Sequence, residues 1–428
     1  MQLRVALSAA RRRLPVALLF LALTGPTTAQ EALRYSLAGQ DAAEARKRAL
    51  ANQNYNLKMG PVTLRFAGAL GIEATDNVTY TEADPQADLI IRPQLNTFAN
   101  WRVTERNSLS LGLGIGYEKY INTTDYDHVF ISPDTDLSFD VYAGDFLINF
   151  HERLSYTGDV SGSPTVSGTG SLPIFQNTVG VRTVWDLNKA FISVSYDHQN
   201  YISTESQYDY LTHVSDLFTA AVGFQLRPTV QAGFQAGGGL LDYQQPLSVD
   251  NQHFSIGPFV SARPSEYTLF RLSAGYVAYF LDTRGLGFVQ SEVDGIYLDG
   301  SFSQRVSSLL SHWLSLGRSL QPNLGYDSSG LSSRIGTRLL ELWTVQYSTA
   351  WNLLRKTSLG TTFSYDHGSE SGIFGETFDR WGAGISLSRT LTKHATGSIS
   401  YQFYLKDSDK AGLDYLQNRL LLNVTYAF

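Results

Sequence analysis

The chain has 428 residues, a formal net charge of −6 and no cysteine, with 43% apolar and only 17% charged residues. The lack of cysteine excludes disulfide frameworks and thiolate metal sites, and the acidic balance argues against a nucleic-acid partner. The charged fraction is below the roughly 25% of soluble domains. Together with 24 Tyr, 23 Phe and 37 Gly, it favours sheet over an ordinary compact soluble fold.

The N-terminus has the pattern of an export signal. Arg4 and Arg11–Arg13 precede the short apolar run LPVALLFLAL, and the small residues TTA come before Gln30. The pattern predicts a signal peptide over residues 1–29, cleaved near Ala29, because the run is too short for a comfortable membrane-spanning helix. A twin-arginine signal is the alternative, although the usual residues around the arginine pair are missing. Cleavage removes four Arg and no acid, so the net charge changes from −6 to −10.

Residues 30–60 differ from the rest of the chain. They are Ala-rich and charged, with good helix formers from Leu37 to Asn52. We expect a periplasmic lead-in that is partly helical, with a plug in the lumen as the alternative. No later stretch approaches 18 consecutive apolar residues, so a membrane-spanning part would have to be built from strands.

From residue 61 to residue 428 the chain is a series of alternating runs. SLSLGLGIGY (Ser108–Tyr117) and TGSISYQFYL (Thr396–Leu405) each put large apolar residues on one face and small or polar residues on the other. Alternation alone fits a soluble sandwich or a membrane barrel. Many runs, however, have 10 to 15 residues, whereas strands of globular proteins have about 5 or 6.

The connections between the runs favour a barrel. Short links near WRVTERN, YAGD, DLNK, LRPTV, RPSE, RVSS, LRKT and LTKH alternate with long polar segments such as ATDNVTYTEADPQA, VSGSPTVSGTGS, STESQYDYLTH and YDSSGLSSR. Tight turns at one end and long loops at the other are typical of outer-membrane barrels. The sequence therefore predicts an all-β, transmembrane, antiparallel up-and-down β-barrel of about 18 strands over residues 61–428. The least regular alternation lies between Ser307 and Leu353.

Aromatic residues gather near the ends of the runs, as expected for interfacial girdles. The residues concerned are Trp101, Tyr117, Tyr120, Trp185, Tyr196, Tyr201, Trp343, Trp351, Tyr426 and Phe428.

The last run, LLLNVTYAF, alternates up to its final aromatic residue. Its large apolar residues are Leu420, Leu422, Val424, Tyr426 and Phe428. This ending resembles the C-terminal signature of bacterial outer-membrane barrels, and the resemblance implies that the barrel assembly machinery reads these five residues. Because an open edge in lipid would leave backbone groups unsatisfied, we expect the last run to pair with the first, near Val62–Ile72.

Two further segments are similar to the start of the putative beta-barrel porin 2 family. They are Thr75–Val78, after the first run, and Asp88–Pro93, which opens the second. The resemblance implies an outer-membrane barrel and says little about mechanism.

If the apolar phase faces lipid, the opposite phase lines the lumen. That phase collects charged residues, which either pair across strands and brace the wall or contact passing solutes. The predicted lumen residues are Arg65, Arg92, Asp134, Asp136, Asp140, Arg182, Asp197, Arg271, Asp299, Arg338, Asp366, Arg380 and Arg419.

Other chemistry has weaker support. The cluster DYDHVFISPDTD lacks the Gly and terminal Glu of a calcium loop, so we expect no metal. Asn149, His151 and Ser155 share a face, but a catalytic set on one strand is too widely spaced, and we expect no enzymatic activity and no cofactor. Glu152 falls on the lipid-facing phase, which indicates a bulge, a position above the membrane or a protomer contact.

These observations predict a porin-like channel for small polar solutes in the outer membrane of a Gram-negative-type bacterium. The expected partners are outer-membrane lipid, the assembly machinery and the solute, with no nucleic acid. Export of a secreted polysaccharide is the first alternative. A structural or adhesive barrel with a closed lumen is the second.

Overall fold

The computed structural model describes residues 55–245, 248–282, 291–323, 339–371 and 375–428. The predicted signal peptide, the helix predicted from Leu37 to Asn52 and the long segment YDSSGLSSR lie outside the described residues. In the described part, no helix is long and apolar enough to cross a membrane.

The described residues form one large antiparallel sheet in which each strand pairs with the next along the chain. A three-residue strand, β1, precedes 18 long ones. The strands are β1 (Leu57–Met59), β2 (Val62–Thr75), β3 (Asp88–Arg102), β4 (Asn107–Tyr120), β5 (His128–Ala143), β6 (Phe146–Thr157), β7 (Ile174–Asp186), β8 (Ala190–Ser203), β9 (His213–Arg227), β10 (Val230–Tyr243), β11 (Asn251–Ser265), β12 (Thr268–Leu281), β13 (Glu292–Arg305), β14 (Leu310–Pro322), β15 (Leu339–Leu354), β16 (Thr357–Glu370), β17 (Thr377–Thr390), β18 (Ala395–Ser408) and β19 (Tyr415–Ala427).

The sheet closes on itself by pairing its last strand with its first long one. Arg419 lies opposite Thr75, and the register continues without a shift to Ala427 opposite Ala67. Closure leaves no unpaired edge among these strands, which a structure in lipid requires. The predicted barrel of about 18 strands and the predicted pairing of the last run with the first are both confirmed.

The connections alternate in length as the sequence predicts. Eight connections at one end of the barrel have two to four residues, and the nine at the other end have six to 16. The short link YAGD is a two-residue turn in which Gly144 has a φ of +61°, a backbone conformation that favours glycine. We call the two ends of the barrel the short-turn end and the long-loop end.

The outer surface carries the exposed apolar side chains. Leu420, Leu422, Val424, Tyr426 and Phe428 are each between 44% and 62% exposed. The same alternation holds on most of the other strands, so the exterior is predominantly apolar, as contact with lipid tails requires.

The aromatic positions divide between the two faces. Tyr120 and Tyr201, predicted as girdle residues, are buried at 2% and 4% exposure. Tyr120 shares its phase with inward Glu118, and Tyr201 shares its phase with Asp197. That part of the girdle prediction is wrong, because proximity to a strand end does not fix the face. The other predicted girdle residues are exposed: Trp101, Tyr117, Trp185, Tyr196, Trp343, Trp351, Tyr426 and Phe428.

The irregular segment between Ser307 and Leu353 forms β14 and most of β15. Its alternation is weak because Leu340 and Leu342 point inward and bury against Phe378. On the outside, Arg318 donates to the Glu341 carboxylate at 2.8 Å. In this segment, apolar residues point inward and a charged pair lies outside, which is the reverse of the alternation on the other strands.

Glu152 lies on the outer face and accepts a hydrogen bond from Asn177 Nδ2 at 3.0 Å. The pairing of β6 with β7 runs through this position without a shift. The bulge considered for Glu152 is therefore absent.

Candidate functional site

The inward phase of the strands carries most of the predicted charges. These residues alternate with exposed apolar side chains, as buried Glu73 does between exposed Ile72 and Ala74. Arg338 lies outside the described residues, and Asp134 lies in an irregular segment. Eleven predicted lumen residues have the inward phase: Arg65, Arg92, Asp136, Asp140, Arg182, Asp197, Arg271, Asp299, Asp366, Arg380 and Arg419.

Asp134 lies where β5 loses its register with both neighbouring strands. The shift follows Ile131 in the pairing with β4 and in the pairing with β6. Pro133 lies in this segment and has no N–H to donate to a ladder. Asp134 is exposed, whereas Asp136 and Asp140 return to regular pairing. The even spacing of the three acids is therefore interrupted.

Two arginines share one buried glutamate beside the barrel seam. Arg419 donates to Glu73 through Nε at 2.6 Å and through Nη2 at 2.9 Å. Arg92 also donates to Glu73, and its Nε donates to Glu118 Oε1 at 2.8 Å. Glu73 is 2% exposed, so its charge is screened by little solvent. This seam network joins β19, β2, β3 and β4 and ties the last strand to the first.

Removing the shared acid should destabilise the barrel strongly. We expect Glu73→Ala to lower the free energy of unfolding by roughly 3–5 kcal/mol, because it removes the carboxylate that binds the buried Arg419 guanidinium through two nitrogens and leaves Arg92 with Glu118 alone. Urea unfolding of the vesicle-bound protein, followed by tryptophan fluorescence, measures the change. The matched control is Lys119→Ala, which removes an exposed pairing with Asp127. Equal stability of Glu73→Ala and the wild type would contradict the assigned role.

A second group of inward charges lies on β16, β17 and β18. Lys406 contacts Glu376 Oε1 at 2.8 Å and lies over the ring of Phe378 at 4.6 Å. Arg380 lies 3.9 Å from Asp366 Oδ2, and its guanidinium stacks 4.5 Å from the centre of the Tyr404 ring. Each cation therefore has a wall acid and an aromatic face.

A third group lies on β5, β6 and β8. His151 Nε2 contacts Asp197 Oδ1 at 2.6 Å, and His151 Nδ1 contacts Asn149 Oδ1 at 3.1 Å. Asn149 donates to Asp140 Oδ1 at 2.8 Å. Asn149, His151 and Ser155 were considered from the sequence as a catalytic set. In the structure the two ring nitrogens of His151 contact Asn149 and Asp197, and neither contacts Ser155.

The connection between β6 and β7 crosses the lumen. We call residues 158–173 the inward loop. Arg380 Nη2 donates to Ser161 O, and Lys406 Nζ donates to Ser167 Oγ at 3.1 Å. The same hydroxyl donates to Leu413 O at 2.9 Å. Since β6 and β7 lie six or more strands from β18 around the sheet, these bonds span the interior of the barrel.

An apolar cluster anchors the inward loop. Val160, Val166 and Leu172 of the loop are buried against aromatic side chains from several strands and loops. The rings of Tyr80 and Tyr415 pack edge to face, with centroids 5.3 Å apart. The cluster joins opposite walls of the barrel near its long-loop end, so apolar contacts as well as hydrogen bonds hold the loop.

Asp159 places a carboxylate from the inward loop beside the seam network. Its Oδ2 lies 3.9 Å from Arg419 Nη2, and its side chain is 39% exposed. Desolvation by its surroundings favours the neutral acid, but the attraction of Arg419 and Arg92 outweighs it, so the pKa of Asp159 lies below its ordinary value. Asp159 is therefore ionised at neutral pH.

Sequence reasoning missed the acids that balance the predicted arginines. Glu73, Glu118, Glu376 and the cation Lys406 have the inward phase but were not selected. The signal was available for Glu73 and Glu118, because each alternates with apolar residues in GIEAT and GYEKY. Glu376 precedes the first residue of β17, where alternation gives no information.

The chain was compared with protein-family models, curated proteins and solved structures. No protein-family model matches the sequence, and the search of curated proteins found no relative. Among solved structures, the chain is similar to Pseudomonas aeruginosa OpdK with vanillate, at 13% identity and a TM-score of 0.47, covering 85% of this chain and 99% of that one. It is similar to P. aeruginosa OccK5 (OpdH) at 10% identity and a TM-score of 0.49, covering 86% and 99%. It is also similar to Acinetobacter baumannii OccAB3 at 12% identity and a TM-score of 0.48, covering 85% and 99%.

The architecture rests on the chain's own geometry: a closed, 18-stranded antiparallel sheet with an apolar exterior. This is the fold of a bacterial outer-membrane β-barrel protein.

Proposed function

We propose that the protein is an outer-membrane, porin-like channel through which small polar solutes diffuse. The observation that carries this proposal is the combination of an apolar exterior, a charged interior and a loop that narrows the lumen. An apolar exterior suits lipid, and strands whose inward phase is polar and charged are typical of barrels with a polar lumen.

The inward charges are balanced within the wall. Arg92, Arg419 and Arg380 each contact an acid from a neighbouring strand, and Lys406 contacts Glu376, which directly precedes β17. A balanced wall produces little net attraction for anions or cations as a class. It therefore favours weakly selective passage of polar solutes and also braces the barrel.

The orientation follows from the connections. Short turns are typical of the periplasmic end and long loops of the external end, so the inward loop would narrow the outer half of the channel. The predicted signal peptide would bring the chain to the periplasm, from which the assembly machinery inserts it.

Single-channel recording in planar bilayers tests the proposal. We expect the purified mature protein to give small, ohmic conductance steps, because the inward loop leaves only part of the lumen open. A matched preparation of heat-unfolded protein should give none. A folded, inserted barrel that never conducts would contradict the channel function and favour the closed structural barrel.

Polysaccharide export predicts a different pair of results. The channel would conduct only after the inward loop is removed, and a strain lacking the protein would accumulate polymer in its periplasm. Ohmic conductance of the intact protein, without polymer accumulation in the deletion strain, would exclude this alternative.

A further inference from the structure

The short-turn end of the barrel carries an excess of exposed cations. The eight short connections, together with the strand residues within three positions of them, contain ten exposed Arg or Lys side chains and four exposed acids. Seven of the eight connections have at least one of these cations in or beside them. We call the ten cations the basic rim. They include Arg102, Lys189, Arg227, Arg305, Arg355 and Arg389.

The long-loop end carries the opposite charge. The described residues of the nine long connections contain 13 acids and one cation, Lys410. Of these acids, Asp84, Asp125 and Asp409 are exposed. Because the whole chain has a net charge of −6, the excess of cations at the short-turn end does not follow from composition. The barrel is therefore acidic at its long-loop end and basic at its short-turn end.

The lumen beside the basic rim is also rich in arginine. Arg65, Arg182 and Arg271 have the inward phase and lie within four residues of the short-turn ends of their strands. Two inward acids, Asp140 and Asp186, lie within the same distance of that end. These three predicted lumen arginines lie at the opposite end of the barrel from the seam network. They extend the basic character of the rim into the lumen.

The rim cations differ from the cations deeper in the lumen in their partners. Within the described ranges of the chain, no ion pair is found for Arg102, Arg227 or Arg389. Arg305 lies over the ring of Tyr267, at 5.2 Å from its centre, which leaves its charge in place. An exposed charge without a paired acid acts on ions in the surrounding water over about 10 Å at 0.1 M salt and about 3 Å at 1 M.

Opposite charges at the two mouths of a pore make its conductance depend on the direction of the voltage. A basic mouth concentrates anions and an acidic mouth concentrates cations. When the long-loop side is positive, anions enter through the basic mouth and cations through the acidic mouth, so both accumulate in the lumen. At the opposite polarity each ion enters through the mouth that repels it, and the lumen is depleted of ions.

We infer that the barrel is a rectifying channel, which passes more current when the long-loop side is positive. This inference rests on the proposed channel function, because it requires an open lumen. It adds a preferred direction for charged solutes to a passage whose inner wall is balanced. A neutral solute has no such preferred direction, since the charge of the mouths does not act on it.

Planar-bilayer recording of the full mature chain at equal positive and negative voltages measures the ratio of the two currents. The direction of insertion is fixed with Ala83→Cys, an exposed position at the long-loop end of a chain without cysteine. A membrane-impermeant thiol reagent reacts with it from one side only. We expect a current ratio of at least about 1.5 in 0.1 M KCl and near 1 in 1 M KCl, where salt screens both mouths.

A charge-reversal variant tests the basic rim itself. Replacing Arg102, Arg227 and Arg305 together with Glu leaves seven cations and seven acids at the short-turn end. The current ratio in 0.1 M KCl should then fall to near 1. The matched control replaces the same three residues with Lys, which keeps all ten charges, so it should rectify like the wild type. Heat-modifiable electrophoretic mobility verifies that both variants are folded.

Failure of the inference and failure of the channel function give different results. If the oriented wild type conducts symmetrically in 0.1 M KCl, or if the glutamate variant rectifies as strongly as the lysine variant, the basic rim does not set a direction and the inference is overturned. Undiminished rectification in 1 M KCl would also overturn it, because screened charges cannot be the cause. A folded, inserted barrel that never conducts overturns the channel function itself.

Discussion

Replacing residues 160–171 of the inward loop with a short glycine–serine connection should raise the single-channel conductance several-fold. These residues carry the Ser161 carbonyl and the Ser167 hydroxyl, which bind Arg380 and Lys406 across the lumen. They also supply Val160 and Val166 to the apolar cluster near the long-loop end. Among the described residues, no other connection donates or accepts such hydrogen bonds across the lumen. Removing residues 160–171 should therefore widen the passage through the barrel. Planar-bilayer recording at fixed salt measures the effect.

A deletion elsewhere at the same end provides the control. Residues 82–84 are exposed at the tip of the connection between β2 and β3. Removing them shortens a loop without touching the bonds across the lumen, so we expect wild-type conductance. If both deletions changed conductance equally, or if loss of residues 160–171 changed nothing, the inward loop would not be the element that narrows the channel.

A single substitution tests how much one wall side chain contributes to holding the inward loop. Arg380→Met removes the donor to Ser161 O and leaves the barrel strands intact in sequence. It also leaves Asp366 without its nearby guanidinium, at 3.9 Å in the native protein. We expect conductance that fluctuates between the native and the wide level, because the loop keeps its bonds to Lys406 and Leu413. A conductance fixed at the native level would show that the bond from Arg380 is dispensable.

Deletion of Phe428 should reduce the amount of assembled barrel far more than replacement of the inward residue Thr425 on β19 with Ser. Phe428 N donates to Phe66 O at 3.2 Å, which extends the closing seam by one bond. Its ring packs edge to face with Tyr426, at 5.5 Å between centroids. A Cβ placed on Gly68 would lie 3.7 Å from the ring, so the ring covers the glycine on the outer face of β2. Loss of Phe428 therefore removes a seam bond, an outward aromatic and the predicted assembly signal together.

The matched variants are Thr425→Ser and Phe428→Tyr. Thr425 faces inward on β19, and its replacement leaves the outer face unchanged. Phe428→Tyr keeps the ring and the backbone bond. We expect a several-fold loss of heat-modifiable barrel in the outer-membrane fraction for the deletion, and near wild-type levels for both controls. Equal levels in all four proteins would contradict a role for the terminal aromatic in assembly.

The sequence by itself determined most of the strands, their approximate number and the expectation that the last strand pairs with the first. Period-2 alternation is a local property, because successive side chains of a strand point to opposite faces whatever lies next to them. Link lengths are local as well, so the short turn at Gly144 and the strand ending at Ala427 could both be read directly from the chain. Tyr120 and Tyr201 lie near strand ends, where an outward aromatic girdle is expected, but they share the inward phase of the alternation. For both residues the phase of the alternation decides the face, and the distance from the strand end does not.

Only the tertiary structure decided what fills the lumen. The bond from Arg380 to Ser161 joins residues 219 positions apart, and that from Ser167 to Leu413 joins residues 246 positions apart. No local pattern distinguishes VSGSPTVSGTGS, which crosses the interior, from an external loop of the same composition. The pairing of Arg92 and Arg419 on the single acid Glu73 likewise depends on which strands closure makes neighbours. Alternation assigns a side chain to a face, and the register and the path of the loop then decide its partner.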